Sequence, residues 1–149
     1  MSQEDCIARV YSSHAPACSP YRDVCARTMT AEPLVLFAHG ARDARWAEPF
    51  EAIRTALQAQ QPTRRIELAF LEFMQPSLDE VAAALHADGV ERALVVPLFL
   101  ATGGHLRRDL PAMVEAIGVR FPGLEFRIEA PLGESPAMRR AIVDWLAGM

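Results

Sequence analysis

Three side chains of metal-binding type are evenly spaced along this sequence. His39 follows the apolar run "PLVLFA", Glu72 lies in "AFLEFMQPS" and His105 lies in "LATGGHLRRDLP", so that successive members are 33 residues apart. Two imidazoles and one carboxylate suit a divalent transition metal that keeps open coordination positions. The equal spacing indicates that one repeating structural unit delivers each residue. We therefore treat His39, Glu72 and His105 as candidate metal ligands and catalytic residues.

Apolar runs and amphipathic segments alternate regularly from Pro33 onward, and their periods predict the secondary structure. Strands are predicted at residues 33–38, 65–73, 92–100 and 124–130. Helices are predicted at residues 47–60, 76–90, 107–123 and 135–149. Under this assignment Glu72 lies at the end of the second strand, and His105 lies in the loop that follows the third strand.

Several helix boundaries carry specific sequence signals. Ser77 and Glu80 form a capping-box pattern before the second helix, and Gly89 is the residue type expected just beyond its end. Ser135 followed by Pro136 predicts the start of the last helix, and Pro111 is expected near the first turn of the third.

Four strands that alternate with four helices predict an α/β fold. The first and third strands are apolar on both faces, as in a parallel sheet covered by helices on both sides. In a 2-1-3-4 strand order, His39, Glu72 and His105 converge at the carboxyl edge, where open α/β sheets bind their ligands. Four strands are few for such a sheet. The unit is therefore interpreted as half of a larger pseudo-symmetric arrangement that a second copy of the chain completes.

The overall composition excludes several classes of function. The chain has 149 residues, of which 51% are hydrophobic, and this fits one globular domain. A net charge of −4 argues against general nucleic-acid binding. All fifteen basic residues are arginine, so neither a P-loop nor a Schiff base on lysine is available. No apolar run approaches the length of a membrane span, and no membrane partner is expected.

The first thirty residues differ in character from the rest of the chain. They hold all three cysteines and show neither helical nor strand periodicity. An odd number of cysteines, in no known zinc pattern, argues against a disulfide framework for the domain. Since the segment also lacks a signal-peptide pattern, it is interpreted as a disordered leader over residues 1–31 of a cytoplasmic protein. The folded domain is placed at residues 32–149, with Met29 a candidate translation start.

Three motifs carry a resemblance to a known family. The segments "LFAHGARDARWAEPF", "AFLEFMQPSLDE" and "VVPLFLATGGHLRRDLP" occur in the order found in the short-form sirohydrochlorin cobaltochelatases, of the CbiX type. These belong to the class II chelatases, together with sirohydrochlorin ferrochelatase. The resemblance covers residues 33–149. It implies a flavodoxin-like fold, a homodimer that resembles a bilobal chelatase, and insertion of a divalent metal into a tetrapyrrole without ATP, for cobalamin or siroheme biosynthesis.

The resemblance also implies roles for individual residues. The family's metal-site histidines match His39 and His105, and its acidic site residue matches Glu72. Co²⁺ or Fe²⁺ is then the substrate metal, with no tightly bound cofactor. Gly103 and Gly104 permit a bulky ligand to approach the backbone. The remaining candidates could bind the macrocycle's peripheral carboxylates through bidentate hydrogen bonds, and they are Arg42, Arg45, Arg107 and Arg108.

Single residues exclude two competing functions, and an assay is needed to exclude the others. A histidine phosphatase needs an arginine directly before its first histidine, where this chain has Ala38. A cobalamin-binding module expects an aspartate two residues before its histidine, where this chain has Phe37. A non-catalytic metal or tetrapyrrole carrier, or a nickel chelatase on the same scaffold, would use the same ligands. These alternatives remain open at the level of sequence, as does the residue that accepts the pyrrole protons.

Overall fold

The computed structural model describes residues 31–101 and 103–149, and within them the side chains of 104–107 are outside the description. The predicted leader over residues 1–31, with Met29, lies outside the described residues except for Ala31. None of the described helices combines the length and the apolar character that crossing a bilayer requires.

Strands and helices alternate along the described chain as predicted. The strands are β1 (Leu34–Ala38), β2 (Ile66–Phe70), β3 (Arg92–Pro97) and β4 (Glu125–Ile128). The α-helices are α1 (Glu48–Gln60), α2 (Leu78–Ala87), α3 (Gly104–Arg120) and α4 (Pro136–Ala147). Short 3₁₀ helices precede α1 at Ala44–Ala47 and α4 at Leu132–Glu134.

The four strands form one parallel sheet in the order β2-β1-β3-β4. In the register of this sheet, Leu36 on β1 lies opposite Leu68 on β2 and Val96 on β3. The predicted α/β class and the 2-1-3-4 order are confirmed. This order sets the carboxyl ends of β2 and β3 on either side of the carboxyl end of β1.

Side chains alternate between the two faces of β1 and build a core on each. Val35 and Phe37 pack with α2 and α3, whereas Leu34, Leu36 and Ala38 belong to a second cluster that includes side chains of α1. All five residues of β1 are buried. A strand that is apolar in both directions is stable only where helices cover both faces, and the structure meets that condition.

The predicted caps are present at α2 and α4. The amide of Ser77 donates to the Glu80 carboxylate at 2.7 Å, and the amide of Glu80 donates to the Ser77 hydroxyl oxygen at 3.3 Å. Gly89 has a φ of 72°, the left-handed conformation that glycine adopts without steric cost at a helix end. The hydroxyl oxygen of Ser135 accepts from the amide of Met138 at 3.4 Å, ahead of α4.

Several predicted boundaries near the sheet edge were wrong. β2 ends at Phe70 instead of residue 73. The chain bends from Leu71 onward, and at Phe73 it has a φ of 63°, which is incompatible with a strand. Glu72 therefore lies in the loop after β2, two residues beyond its end. β3 likewise ends at Pro97 instead of residue 100.

The start of the third helix was also predicted too late. α3 begins at Gly104 instead of residue 107, which places His105 in the first helical turn and not in a loop. Gly103 is its N-cap, with an extended ψ of 159°, a position that glycine tolerates well. Because the helix starts earlier, Pro111 lies in the interior of α3 instead of near its first turn.

Candidate functional site

The backbone joins His39 to Glu72 directly at the carboxyl edge of the sheet. Beyond the last paired residues of β1 and β2, the amide of Leu71 donates to the carbonyl oxygen of Ala38 at 2.9 Å. The amide of Glu72 donates to the carbonyl oxygen of His39 at 3.0 Å. Pairing of the two chains thus continues past the strand ends, and it fixes these two candidate residues side by side.

The two side chains also approach each other. Nδ1 of His39 lies 3.3 Å from Oε1 of Glu72 and 3.4 Å from the carbonyl oxygen of Gly40. Two oxygen acceptors next to Nδ1 favour a proton on that nitrogen, which leaves the lone pair of Nε2 available to a metal ion. The side chains are 51% and 45% exposed, respectively, so a ligand can reach them from solvent.

The core supports the His39 ring from the side of β3. Phe99 meets this imidazole edge-on, with ring centroids 6.3 Å apart and an interplanar angle of 83°. Phe99 is itself 8% exposed and makes a second edge contact with Phe37, at 5.9 Å between centroids. The orientation of His39 is therefore supported by a buried aromatic side chain as well as by Glu72.

Gly40 is required by the close approach of the two loops. Its φ is 89°, and a Cβ atom at this position would lie 1.9 Å from the carbonyl oxygen of Glu72. No side chain fits at that distance. The residue after His39 must therefore be glycine for the loop that carries Glu72 to pass so close.

The predicted macrocycle-binding arginines lie in different surroundings. Arg42 lies with its guanidinium carbon 5.2 Å from the centroid of the Phe73 ring. Arg45 donates to both carboxylate oxygens of Asp43, at 3.2 Å from Nε and 2.8 Å from a terminal nitrogen. These hydrogen bonds, from the side chain first and then from the Arg45 amide, lower the pKa of Asp43 below its usual range. Arg108 is exposed on α3.

The structure brings together two of the three candidate metal ligands. Within residues 31–101 and 103–149, leaving aside the side chains outside the description, no group of three or more histidine, cysteine, aspartate or glutamate side chains is placed to hold a metal ion. The side chains of His105 and Arg107 are among those not described. Gly103 and Gly104 lie at the start of α3, which follows β3 as His39 follows β1.

Phe73 is a neighbour of the site that the sequence reasoning missed, as are Gly40 and Phe99. It is 59% exposed, directly follows Glu72 and carries the Arg42 guanidinium beside its ring. Its apolar character was assigned to a predicted strand, in which an exposed aromatic residue attracts no attention. An aromatic residue directly after a candidate ligand was the only signal that the sequence held for Phe73.

Comparison with known proteins identifies the family. The family model described as CbiX matches residues 33–147. The chain belongs to the CbiX family. A protein of Sulfurisphaera tokodaii named sirohydrochlorin cobaltochelatase is 35% identical over 100 residues, which cover 67% of this chain and 78% of that protein. A protein of the same name from Saccharolobus solfataricus is 34% identical over 106 residues, with 67% and 81% covered.

Solved structures agree with this membership of the CbiX family. A CbiX protein from Marinobacter aquaeolei is 38% identical and superposes with a TM-score of 0.71, covering 78% of this chain and 95% of that one. The sirohydrochlorin chelatase SirB from Bacillus subtilis, solved in complex with cobalt, has a TM-score of 0.67 and 22% identity. This chain spans 50% of that protein, and the likeness shows a common fold.

Proposed function

We propose that this protein inserts a divalent metal ion, Co²⁺ or Fe²⁺, into sirohydrochlorin without ATP. The observation that carries the proposal is the solvent-accessible contact between His39 and Glu72, 3.3 Å apart at the carboxyl edge of a CbiX-family sheet. Relatives at 34–35% identity named sirohydrochlorin cobaltochelatase support the substrate. The product would enter cobalamin or siroheme biosynthesis in the cytoplasm.

In this proposal the metal ion is held by His39, Glu72 and His105 before transfer. Nε2 of His39 is the donor for which the geometry argues most directly, since Nδ1 already lies between two oxygen acceptors. The carboxylate of Glu72 orients the imidazole and balances the positive charge of the ion. His105, in the first turn of α3, supplies the third ligand.

Insertion also requires the loss of two pyrrole N–H protons as the divalent ion enters the ring. The Glu72 carboxylate, and Nε2 of His39 once it has released the metal, can each accept a proton and pass it to solvent, because both side chains are about half exposed. No phosphate chemistry is needed, in keeping with a chain that has no lysine for a P-loop. The macrocycle would lie over Gly103 and Gly104, and its carboxylates would bind Arg42, Arg45, Arg107 and Arg108.

The decisive experiment mixes the purified protein with sirohydrochlorin and with Co²⁺, Fe²⁺ or Ni²⁺ in separate reactions, and follows the absorbance of the macrocycle. We expect the rate to exceed that of spontaneous insertion with Co²⁺ or Fe²⁺, and to rise in proportion to the protein concentration. A protein that binds metal or macrocycle without turnover would be a carrier, and the proposal would be wrong. A rate enhancement with Ni²⁺ alone would make it a nickel chelatase.

We further propose that the active form is a two-fold homodimer. α4 has no buried residue, and its Val143, Trp145 and Leu146 side chains are each more than half exposed. Leu94 and Val96 on the central strand β3 are only partly buried. Apolar surface of this kind favours association, and two-fold symmetry is its commonest closed form.

Light scattering tests the dimer directly. We expect twice the chain mass of 16.4 kDa at micromolar concentration, and a shift towards the chain mass in Trp145→Glu. Arg140→Glu, on the same helix, serves as a control for added negative charge. A monomeric wild-type protein at micromolar concentration would contradict the dimer and leave the chelatase proposal untouched.

A further inference from the structure

Phe73 lies between two residues that pack against the core. Leu71 packs against the core cluster on one face of the sheet, and Met74 packs against the cluster on the other face. Between these two anchors, Phe73 belongs to neither cluster and is 59% exposed. An aromatic side chain in this position adds little to the stability of the fold, and its exposure calls for another explanation.

The backbone of Phe73 is strained as well. Its φ of 63° lies in the left-handed region, where it is the only non-glycine residue among those the structure describes. A bulky residue in this conformation is rare, and strain of this kind is concentrated at functional sites. Asparagine or glycine would adopt the turn at lower cost. The conformation thus presents a large flat side chain to solvent directly beside Glu72.

Arg42 completes the arrangement from the other loop. Its guanidinium carbon lies 5.2 Å from the centroid of the Phe73 ring, within the range of a cation–π contact. Arg42 comes three residues after His39, and Phe73 comes one residue after Glu72. Since the backbones of His39 and Glu72 are hydrogen-bonded at 3.0 Å, the contact between Arg42 and Phe73 extends from the candidate metal site.

We propose that Phe73 and Arg42 form a rim pair that selects a flat, acidic macrocycle for the metal site. The Phe73 ring supplies an apolar surface on which the face of the macrocycle packs, and the Arg42 guanidinium binds a carboxylate on its periphery. This inference rests on the proposed chelatase function and adds to it the basis of substrate selection. A phenyl ring alone accepts any planar apolar molecule. A guanidinium fixed beside it restricts binding to macrocycles with acidic edges.

The test measures binding of metal-free macrocycles to the full-length protein by absorbance titration. The probes are sirohydrochlorin, uroporphyrin with a carboxylate-rich rim, and mesoporphyrin with few carboxylates. We expect Phe73→Leu to weaken all three by about threefold to tenfold, the range expected for a lost aromatic contact. Phe73→Trp should retain binding. Arg42→Ala should weaken the binding of sirohydrochlorin and of uroporphyrin by a similar factor and leave the binding of mesoporphyrin unchanged. The affinities of Arg42→Lys should lie between those of the wild type and Arg42→Ala.

A matched control separates the rim pair from a general charge effect. Arg127→Ala removes an exposed arginine that pairs with Glu32 at 3.2 Å on β4, and it should bind every probe as the wild type does. In steady-state insertion assays, Phe73→Leu and Arg42→Ala should raise the KM for sirohydrochlorin while the KM for Co²⁺ stays constant. A merely structural role would change both constants together with the melting temperature.

The outcomes distinguish this inference from the function on which it rests. Suppose that the wild type inserts metal and that Phe73→Leu and Arg42→Ala bind the probes as tightly as the wild type does. The rim-pair proposal is then wrong, and the proposed chelatase function stands. If Arg42→Ala weakens the binding of mesoporphyrin as much as that of uroporphyrin, the proposed selection of acidic edges is also wrong. If the wild type neither binds nor metallates sirohydrochlorin, both proposals fail.

Discussion

His39 and Glu72 are joined twice, by a backbone hydrogen bond of 3.0 Å and by a contact of 3.3 Å between Nδ1 and Oε1. The first contact belongs to the parallel pairing of β1 with β2, which runs on past the strand ends. The contact between the two side chains is therefore positioned by strand pairing and not by a flexible loop. In the proposed metal site, this pair would need little reorganisation before it binds an ion.

Replacement of His39 by alanine is expected to lower the rate of metal insertion about a hundredfold or more, because a candidate ligand is lost. The side chain is 51% exposed, so the free energy of unfolding should fall by no more than about 1 kcal/mol. Initial rates against Co²⁺ concentration and a denaturant titration measure the two effects. His105→Ala should reduce the rate in the same way, and wild-type rates in both variants would exclude this metal site. His86→Ala, on α2, is the control.

Replacement of Glu72 by glutamine should reduce insertion by a smaller factor, about tenfold. The amide keeps the shape of the carboxylate and an oxygen that can accept from Nδ1 of His39, but it removes the negative charge. The assay is the insertion rate as a function of metal concentration. A loss equal to that of His39→Ala would show instead that the charge of Glu72 is indispensable.

Replacement of Gly40 by alanine should disturb both folding and activity. The new Cβ atom would lie 1.9 Å from the Glu72 carbonyl oxygen at a φ of 89°, so the loop must move, at a cost of about 2 kcal/mol or more. Gly118→Ala is the matched control, since nothing lies within 4 Å of its Cβ position in α3. That change should be neutral or stabilise the protein by up to about 1 kcal/mol. Equal melting temperatures for the two variants would contradict the packing argument.

Acid should remove the contribution of Asp43 to the turn before α1. Hydrogen bonds from Arg45 lower the pKa of Asp43, so any stabilisation is present above the unfolded-state pKa of about 4 and is lost as pH falls through the lower folded-state value. Asp43→Asn retains a capping oxygen and removes the charge. The difference in melting temperature between wild type and variant should be small at neutral pH, because the pair is exposed, and should vanish in strong acid. A difference that grows as pH falls would contradict this sign.

Removal of residues 1–28 is expected to leave folding and insertion unchanged. The family match begins at residue 33, and the first described strand begins at Leu34. Melting temperature and insertion rate of the shortened chain, compared with those of the full chain, measure the effect. A large fall in either quantity would make the leader part of the domain.

Much of the architecture could be predicted because its causes are local or periodic. The apolar run of β1 requires helices on both faces of the sheet. The start and the end of α2 are predicted by the capping pattern of Ser77 and Glu80 and by Gly89. The 2-1-3-4 order was considered as the arrangement in which His39, Glu72 and His105 converge at one edge. Each of these inferences depends on residue type and spacing alone.

The residues that escaped prediction depend on backbone conformation. Phe73 has a side chain typical of a strand, and nothing in its type reveals a φ of 63°. Gly103 and Gly104 suggested a loop, whereas they cap and open α3, and His105 consequently moved into a helix. The pairing of Arg42 with Phe73 depends on two loops that meet only in the folded chain. Because Arg42 and Phe73 are far apart in the sequence, residue type and spacing do not reveal their contact.

Phe99 touches His39 on one side and Phe37 on the other, with the hydrophobic core behind it. In the proposed metal site, the position of the His39 imidazole would therefore depend on how firmly the core holds Phe99. A substitution that loosens the packing of Phe99 would then weaken metal binding even with all three proposed ligands in place.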